Sequence, residues 1–168
     1  MGAMIRPAAA EDLAAIGDVH TRSRASAYAH LVPAEALAAV PVASMVDWWT
    51  ERWRYERETH RLLVAEAGGE VAGFSYVGPS ETPGVAELYA IHVAPERVGT
   101  GVGRVLMAAA LAELAELDRP RAVLWVLEGN DRARRFYERG GWRPDGVRRE
   151  GAIGPALTMQ LRYTRPLP

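Results

Sequence analysis

Residues 87–104 read Glu87-Leu-Tyr-Ala-Ile91-His-Val93-Ala-Pro95-Glu-Arg-Val98-Gly99-Thr100-Gly101-Val102-Gly103-Arg104. Val85 to Val93 alternates like a strand, Pro95 stops it, and the run Gly99 to Gly103 leads into an apolar helix from Val102 to Leu117. Arg119-Pro120 breaks that helix, and Ala122 to Leu127 is a short apolar run of the kind that forms a buried strand. Strand, helix and strand in this order require a parallel pair joined by a right-handed crossover. Ligands in such units lie beyond the carboxyl ends of the strands, against the helix N-terminus. In this chain that place is Val93 to Arg104.

Upstream, Met4 to Pro7 reads as a short first strand ended by proline. A helix is expected from Ala10 to His30, with Leu13, Ile16, His20, Ser23 and Ala27 at helical spacing. Pro33 suits the first turn of a second helix to Val40. A third, Val42 to about Glu58, carries Met45, Trp49 and Trp53 at i, i+4 and i+8, a stripe read as core packing. Arg61 to Ala67 and Glu70 to Gly78 are apolar-rich runs joined by Gly68-Gly69, a hairpin signature. Downstream, Asn130 to Arg139 is a helix stopped by Gly140-Gly141. Val147 to Glu150 and Ala156 to Tyr163 form a closing hairpin. The order is α+β, in one domain of residues 1–168. Met1 to Ala3, ahead of a second methionine at Met4, reads as a cloning remnant.

Composition excludes whole classes of chemistry. The chain has 168 residues, 49% hydrophobic and 24% charged, with a net charge of -1, so nothing marks it for nucleic acid. It has no cysteine, and its 20 basic residues are all arginine. Disulfides, thiolate metal sites and a cysteine nucleophile are therefore impossible, and so is any catalytic lysine. Four scattered histidines (His20, His30, His60 and His92) give no metal-binding pair, and no metal is expected. The longest wholly apolar run, Val105 to Ala112, is far short of a membrane span. A cytoplasmic protein is expected. Its alanine and arginine usage suits a GC-rich bacterial genome.

The glycine run has two ordinary nucleotide readings, and both fail. A dinucleotide fingerprint needs different glycine spacing, and a triphosphate loop needs lysine. What remains is a plain glycine-rich turn or a backbone cradle for an anion. A second pattern follows the crossover strand: Asn130-x-x-Ala133-x-x-Phe136-Tyr137-x-x-x-Gly141-Trp142. Asn130 is a natural N-cap, and Ala133, Phe136 and Tyr137 share one helix face.

Together the two stretches resemble the GNAT superfamily of N-acetyltransferases. Glu87 to Pro95 and Gly99 to Arg104 look like that family's acetyl-CoA motif A; Leu124 to Trp142 looks like its motif B. The resemblance is dense from Val85 to Trp142 and architectural elsewhere. It implies a mixed, mostly antiparallel central sheet of about seven strands flanked by helices, with one parallel strand–helix–strand acetyl-CoA unit. Its cofactor-binding residues would be the backbone of Ile91, His92 and Val93, which pairs with pantetheine like an added strand. The amides of Gly99, Thr100, Gly101, Val102, Gly103 and Arg104 would take the pyrophosphate. Asn130 would bond the pantetheine end, and Tyr137 would lie near the sulfur. The family usually carries Gln or Arg where this chain has Val98, with Arg97 one residue early. Because the loop binds through backbone amides, binding is expected to survive that departure.

The implied chemistry is attack of a neutral amine on the thioester, an oxyanion stabilised by a main-chain N–H near Val93, and protonation of the leaving thiolate by Tyr137. Lack of cysteine favours direct transfer. Some relatives place a glutamate where this chain has Trp125, so Glu87 is the candidate base, acting through water. Strict alternation puts His92 on the sheet face opposite Glu87, where a core or pantetheine-lining role is expected unless a bulge reverses it. Substrate selection is assigned to Tyr28, His30, Tyr76, Tyr89 and Trp125, with Trp49 in the same aromatic wall. His20, Arg24 and Tyr28 share a helical face. The expected acceptor is a small amine such as an amino acid analogue, an antibiotic or a polyamine. An acidic, extended groove would favour a polyamine or peptide. A protein N-terminal or lysine acetyltransferase and a non-catalytic acyl-CoA-binding module are the alternatives, and family analogy suggests a homodimer.

Overall fold

Chain order and hydrophobic patterning lay down seven strands and five helices, described in a computed structural model for residues 2–168. Met1, part of the expected cloning remnant, lies outside the described residues. The strands are β1 (Met4–Pro7), β2 (Arg61–Ala67), β3 (Glu70–Pro79), β4 (Ala86–Val93), β5 (Arg121–Leu127), β6 (Arg143–Ile153) and β7 (Ala156–Pro166). The helices are α1 (Leu13–Ala27), α2 (Ala34–Ala38), α3 (Val42–Glu56), α4 (Val102–Ala115) and α5 (Asp131–Arg139). The strands form one sheet in the order β1-β2-β3-β4-β5-β7-β6. Every neighbouring pair is antiparallel except β4 and β5, which are parallel. The α+β, mostly antiparallel architecture with its single parallel unit is therefore present.

Element boundaries differ from the sequence reading where side chains compete with the helix. Ala10–Asp12 is a tight three-ten turn, because the Asp12 carboxylate accepts the Ala9 amide at 2.7 Å and the Arg6 guanidinium at 2.8 Å. Arg6 holds that carboxyl below its usual range. α1 stops at Ala27 rather than His30, as the amides of Leu31 and Val32 fold back onto the Tyr28 carbonyl. α3 ends at Glu56, and the closing strands are far longer than the expected hairpin, with an irregular register between Pro144 and Arg148.

The sheet is covered on both faces. On one, α1 and α3 bury Leu13, Ile16, Val19, Met45 and Trp49 against Leu62, Val64, Phe74 and Tyr76. A Cβ at Gly17 would lie 2.4 Å from Val46, so glycine permits the close crossing of α1 and α3. Trp49 is fully buried, which makes the Met45–Trp49–Trp53 stripe core packing as expected. On the other face, α4 buries Leu106, Met107, Ala110 and Leu114, and α5 adds Ala133, Phe136 and Tyr137.

Leu114 is fully buried beside Ala122, Leu124 and Trp142. Leu114→Ala is expected to destabilise the protein by about 2–5 kcal/mol. Urea unfolding checks this as a lower midpoint with an unchanged slope.

Candidate active site

The site begins where the sheet comes apart. β4 and β5 pair only at Ala86 with Ala122 and Glu87 with Val123. Beyond that point β5 keeps its antiparallel ladder to β7 as far as Leu127, while β4 stays with β3. A cleft of about 1460 Å³ fills the gap, lined on one side by Ala90 to Val93 and on the other by Trp125 to Leu127 and Asn130. Residues from both faces line it, so it passes through the sheet.

A bulge sets which β4 side chains face which way. Tyr76 pairs with Ala90 but Val77 with Leu88, leaving Tyr89 extra. Ala86 and Leu88 pack towards α4, and after the bulge so do Ile91 and Val93. Glu87, Tyr89 and His92 thus all face the α1–α3 side. This corrects the strict alternation that placed His92 opposite Glu87.

Backbone groups along β4 divide between ladder and cleft. The Ala94 amide bonds the Ala72 carbonyl at 2.8 Å, and His92 sits opposite Phe74. By alternation, His92 spends its main-chain groups on β3, whereas Ile91 and Val93 present theirs to the cleft. Only those two of the three expected backbone pairers are available. Past Val93 the chain makes a three-ten turn at Pro95–Arg97 and enters α4 through Gly101, at φ 95°, a left-handed conformation that favours glycine. Val105 makes the first bond back into the helix, to Gly101, so the amides of Val102, Gly103 and Arg104 precede the helical ladder. Side chains here split. Val98, Gly99, Gly101, Gly103 and Arg104 line the cleft, Val102 is buried beneath β2 and β3, and Thr100 is exposed. The Thr100 amide already bonds the Arg97 carbonyl.

α5 closes the opposite wall. Asn130 caps it, its Oδ1 accepting the Ala133 amide at 3.4 Å. Phe136 and Tyr137 face the cleft, and Arg132, Arg135 and Arg139 line it too. These arginines were not singled out from the sequence, although their spacing of three and four residues puts them on one helix face. Burial and the nearby Tyr28 phenol hold the Tyr137 hydroxyl protonated well above its usual range.

Two histidines lie on the α1 side. His20 and His92 lie against each other at a tilt of 36° with ring centroids 4.3 Å apart; Trp49 Nε1 donates to His20 Nδ1 at 3.0 Å, and Ser23 Oγ is 3.0 Å from His92 Nδ1. Burial, then the neighbouring Arg24, lowers His92 to about 4; burial and the charge of His92 push His20 further down. Of the residues assigned to substrate selection, Tyr28, His30, Tyr89, Trp125 and Trp49 line the cleft. Tyr76 does not. It is buried in the α1–α3 core with its hydroxyl donated to Glu56 at 2.6 Å. Glu87 does line the cleft, accepting from Ser80 at 3.3 Å; burial raises its pKa while Arg149 pulls it down. Among the described residues no cluster of three His, Asp or Glu is placed to hold a metal, and no helix is long and apolar enough to cross a membrane.

Residues 27–142 match the Acetyltransferase (GNAT) family. An uncharacterized N-acetyltransferase of Archaeoglobus fulgidus is 38% identical over 91 residues, 51% of this chain and 62% of that protein. A mycothiol acetyltransferase of Acidimicrobium ferrooxidans is 38% identical over 84 residues, 48% of this chain but 27% of that longer protein. The match thus spans less than two thirds of either relative. The crystal structure of the PaiA N-acetyltransferase from Thermoplasma acidophilum in complex with coenzyme A superposes with a TM-score of 0.83, covering 99% of both chains at 18% identity. That likeness shows the same fold. The chain belongs to the GNAT acetyltransferase family.

The histidine pair makes stability depend on pH. In the unfolded chain a histidine titrates near 6.5, against about 4 for folded His92. Between those values the unfolded state binds a proton that the folded state refuses, so stability falls as pH drops from about 6.5 towards 4. His92→Gln is expected to flatten that decline, measured by urea unfolding at pH 7 and pH 5.

Proposed function

We propose that the protein is an acetyl-CoA-dependent N-acetyltransferase that moves the acetyl group directly onto a primary amine of a small molecule. The observation that carries this reading is the split sheet. An open β4 edge runs straight into a glycine-led helix start, with the Tyr137 phenol facing the same cleft. The residues present fit the coenzyme. The cleft exceeds the roughly 300–1,000 Å³ of ordinary ligand pockets, as a long coenzyme plus an acceptor requires. Ile91 and Val93 offer strand-type hydrogen bonds to an extended amide chain. The amides at the start of α4, with Arg104 and the α5 arginines, suit phosphate groups. Arg97 is turned away towards the β2–β3 hairpin, near Gly68, so Val98 leaves the pyrophosphate to backbone amides and these arginines.

Bound there, acetyl-CoA supplies an acetyl group activated as a thioester. Glu87 is a base with a suitable environment, since burial raises its pKa towards the working range and makes it a better proton acceptor. Tyr137 stays protonated and donates to the departing sulfur. The Val93 amide is the main-chain donor for charge developing on the acetyl oxygen. With no cysteine in the chain, no thiol can carry the acetyl group between coenzyme and amine.

Release of free coenzyme A across a panel of amines tests the reading. Tight coenzyme binding with no turnover on any amine would favour a binding module instead. Tyr137→Phe is expected to lower kcat about 10²-fold or more with coenzyme affinity retained, read by steady-state kinetics and calorimetry. Glu87→Gln is expected to lower kcat/KM on the order of 10–10²-fold and to remove the acid limb of its pH profile. That limb lies above the ordinary carboxylate range because burial dominates at Glu87.

A further inference from the structure

The cleft is rich in arginine, and apart from Arg24 of α1 its arginines fall into two groups. Arg104 lies in the first turn of α4, and Arg132, Arg135 and Arg139 run along α5 to its last residue, on the side where the phosphates of a coenzyme would lie. Arg52 and Arg149 line the α1–α3 side together with Glu87, away from that cradle.

Arg52 is held in place before any ligand arrives. Its guanidinium lies 4.7 Å from the Trp48 ring and 5.4 Å from Tyr89. Its Nη2 donates to Glu56 Oε2 at 3.1 Å, and the same oxygen accepts the Tyr76 hydroxyl at 2.6 Å. The Nε–H is buried and has no acceptor among the described residues. Arg149 is fixed from a different direction. Its Nε donates to Gln160 at 2.6 Å, and its guanidinium carbon lies 4.0 Å from the centre of the Trp125 ring. Neither Nη of Arg149 has a hydrogen bond or ion-pair partner among the described residues. Glu87 feels the fields of both arginines.

Glu87 is the one carboxylate lining this side of the cleft, where Arg52 is already paired with Glu56 and Arg149 has no acidic partner, so the lining carries no acidic excess to hold a polycation. The groove is not acidic, which speaks against a polyamine. The two guanidinium groups suit a small zwitterion, because a guanidinium binds a carboxylate through a fork of N–H donors. We propose that the acceptor amine carries its own anionic group, as an amino acid does, with the anion on Arg149 and Arg52 and the ammonium on Glu87. The side chain lies among Trp48, Tyr89 and Trp125. This rests on the N-acetyltransferase reading and adds its substrate class. The ammonium first loses one proton to Glu87. The neutral nitrogen adds to the acetyl carbon, the carbon–sulfur bond then breaks, Tyr137 gives its proton to the sulfur, and a second amine proton returns to the Tyr137 oxygen. The products are an N-acetyl amino acid and free coenzyme A.

Matched pairs test the proposal: phenylalanine with phenethylamine, tryptophan with tryptamine, leucine with isoamylamine, methionine with its decarboxylated amine, and spermidine alone. Each is incubated with the purified protein and acetyl-CoA, and coenzyme A release is followed. At least one amino acid is expected to exceed its decarboxylated partner tenfold or more in kcat/KM. Arg149→Gln is expected to shrink that ratio tenfold or more, and Arg149→Lys, which keeps the charge but loses the fork, to restore part of it. Calorimetric titration with coenzyme A shows that each variant is folded. If the decarboxylated amines or spermidine are preferred throughout, or if the ratio is unmoved in Arg149→Gln, the proposal falls and the acetyltransferase reading stands. If the coenzyme binds and no amine of either kind is acetylated, both fall.

Discussion

Two residue pairs, Ala86 with Ala122 and Glu87 with Val123, join the halves of the sheet before β4 and β5 diverge. The divergence has local causes. β5 is committed to β7 along its whole length, and the extra residue at Tyr89 changes the course of β4. Opening a sheet leaves main-chain donors and acceptors that need another partner. Here they line a cavity instead of disappearing into the core. The cradle at α4, the Tyr137 wall and the His20–His92 pair all take their positions from that wedge.

Charge is distributed in a way that the overall balance of -1 conceals. With no lysine, every cationic task falls to guanidinium groups, which are planar, always charged and good at gripping acids with two donors. Some serve the fold: Arg6 ties Asp12 and Glu66 together at 2.8 and 3.0 Å. Arg134 Nε donates to the Tyr163 hydroxyl at 3.0 Å, and Tyr163 in turn donates to Glu138 at 2.8 Å. Others converge on the cleft with Glu87 and Asp131 as the acids beside them. A nearly neutral protein can therefore enclose a locally basic site.

Features governed by local backbone chemistry were readable from the chain. The glycine run at 99–103, the Asn130 cap and the stop at Gly140 depend on conformations or hydrogen bonds made within a few residues. The α3 stripe was readable for a similar reason, since helical spacing alone puts Met45 and Trp49 on one side. Facing across the sheet was not. One inserted residue at Tyr89 carried His92 to the face of Glu87, and no pattern in Val85 to Val93 announces it. Tyr76 looked like a binding aromatic, but its hydroxyl found Glu56 and its ring found the core.

Sequence alone determined the order of elements, the glycine-led start of α4, the cap at Asn130, and the exclusion of thiol and lysine chemistry. Those are matters of residue identity and short-range geometry. Tertiary structure alone decided that Arg149 of β6 lies over Trp125 of β5, and that Arg52 of α3 shares a cavity with Glu87 of β4. Such neighbours are far apart in the chain. They meet because a parallel crossover, a bulge and two long closing strands fold around one opening, and contacts of that range leave no periodic trace in a single sequence.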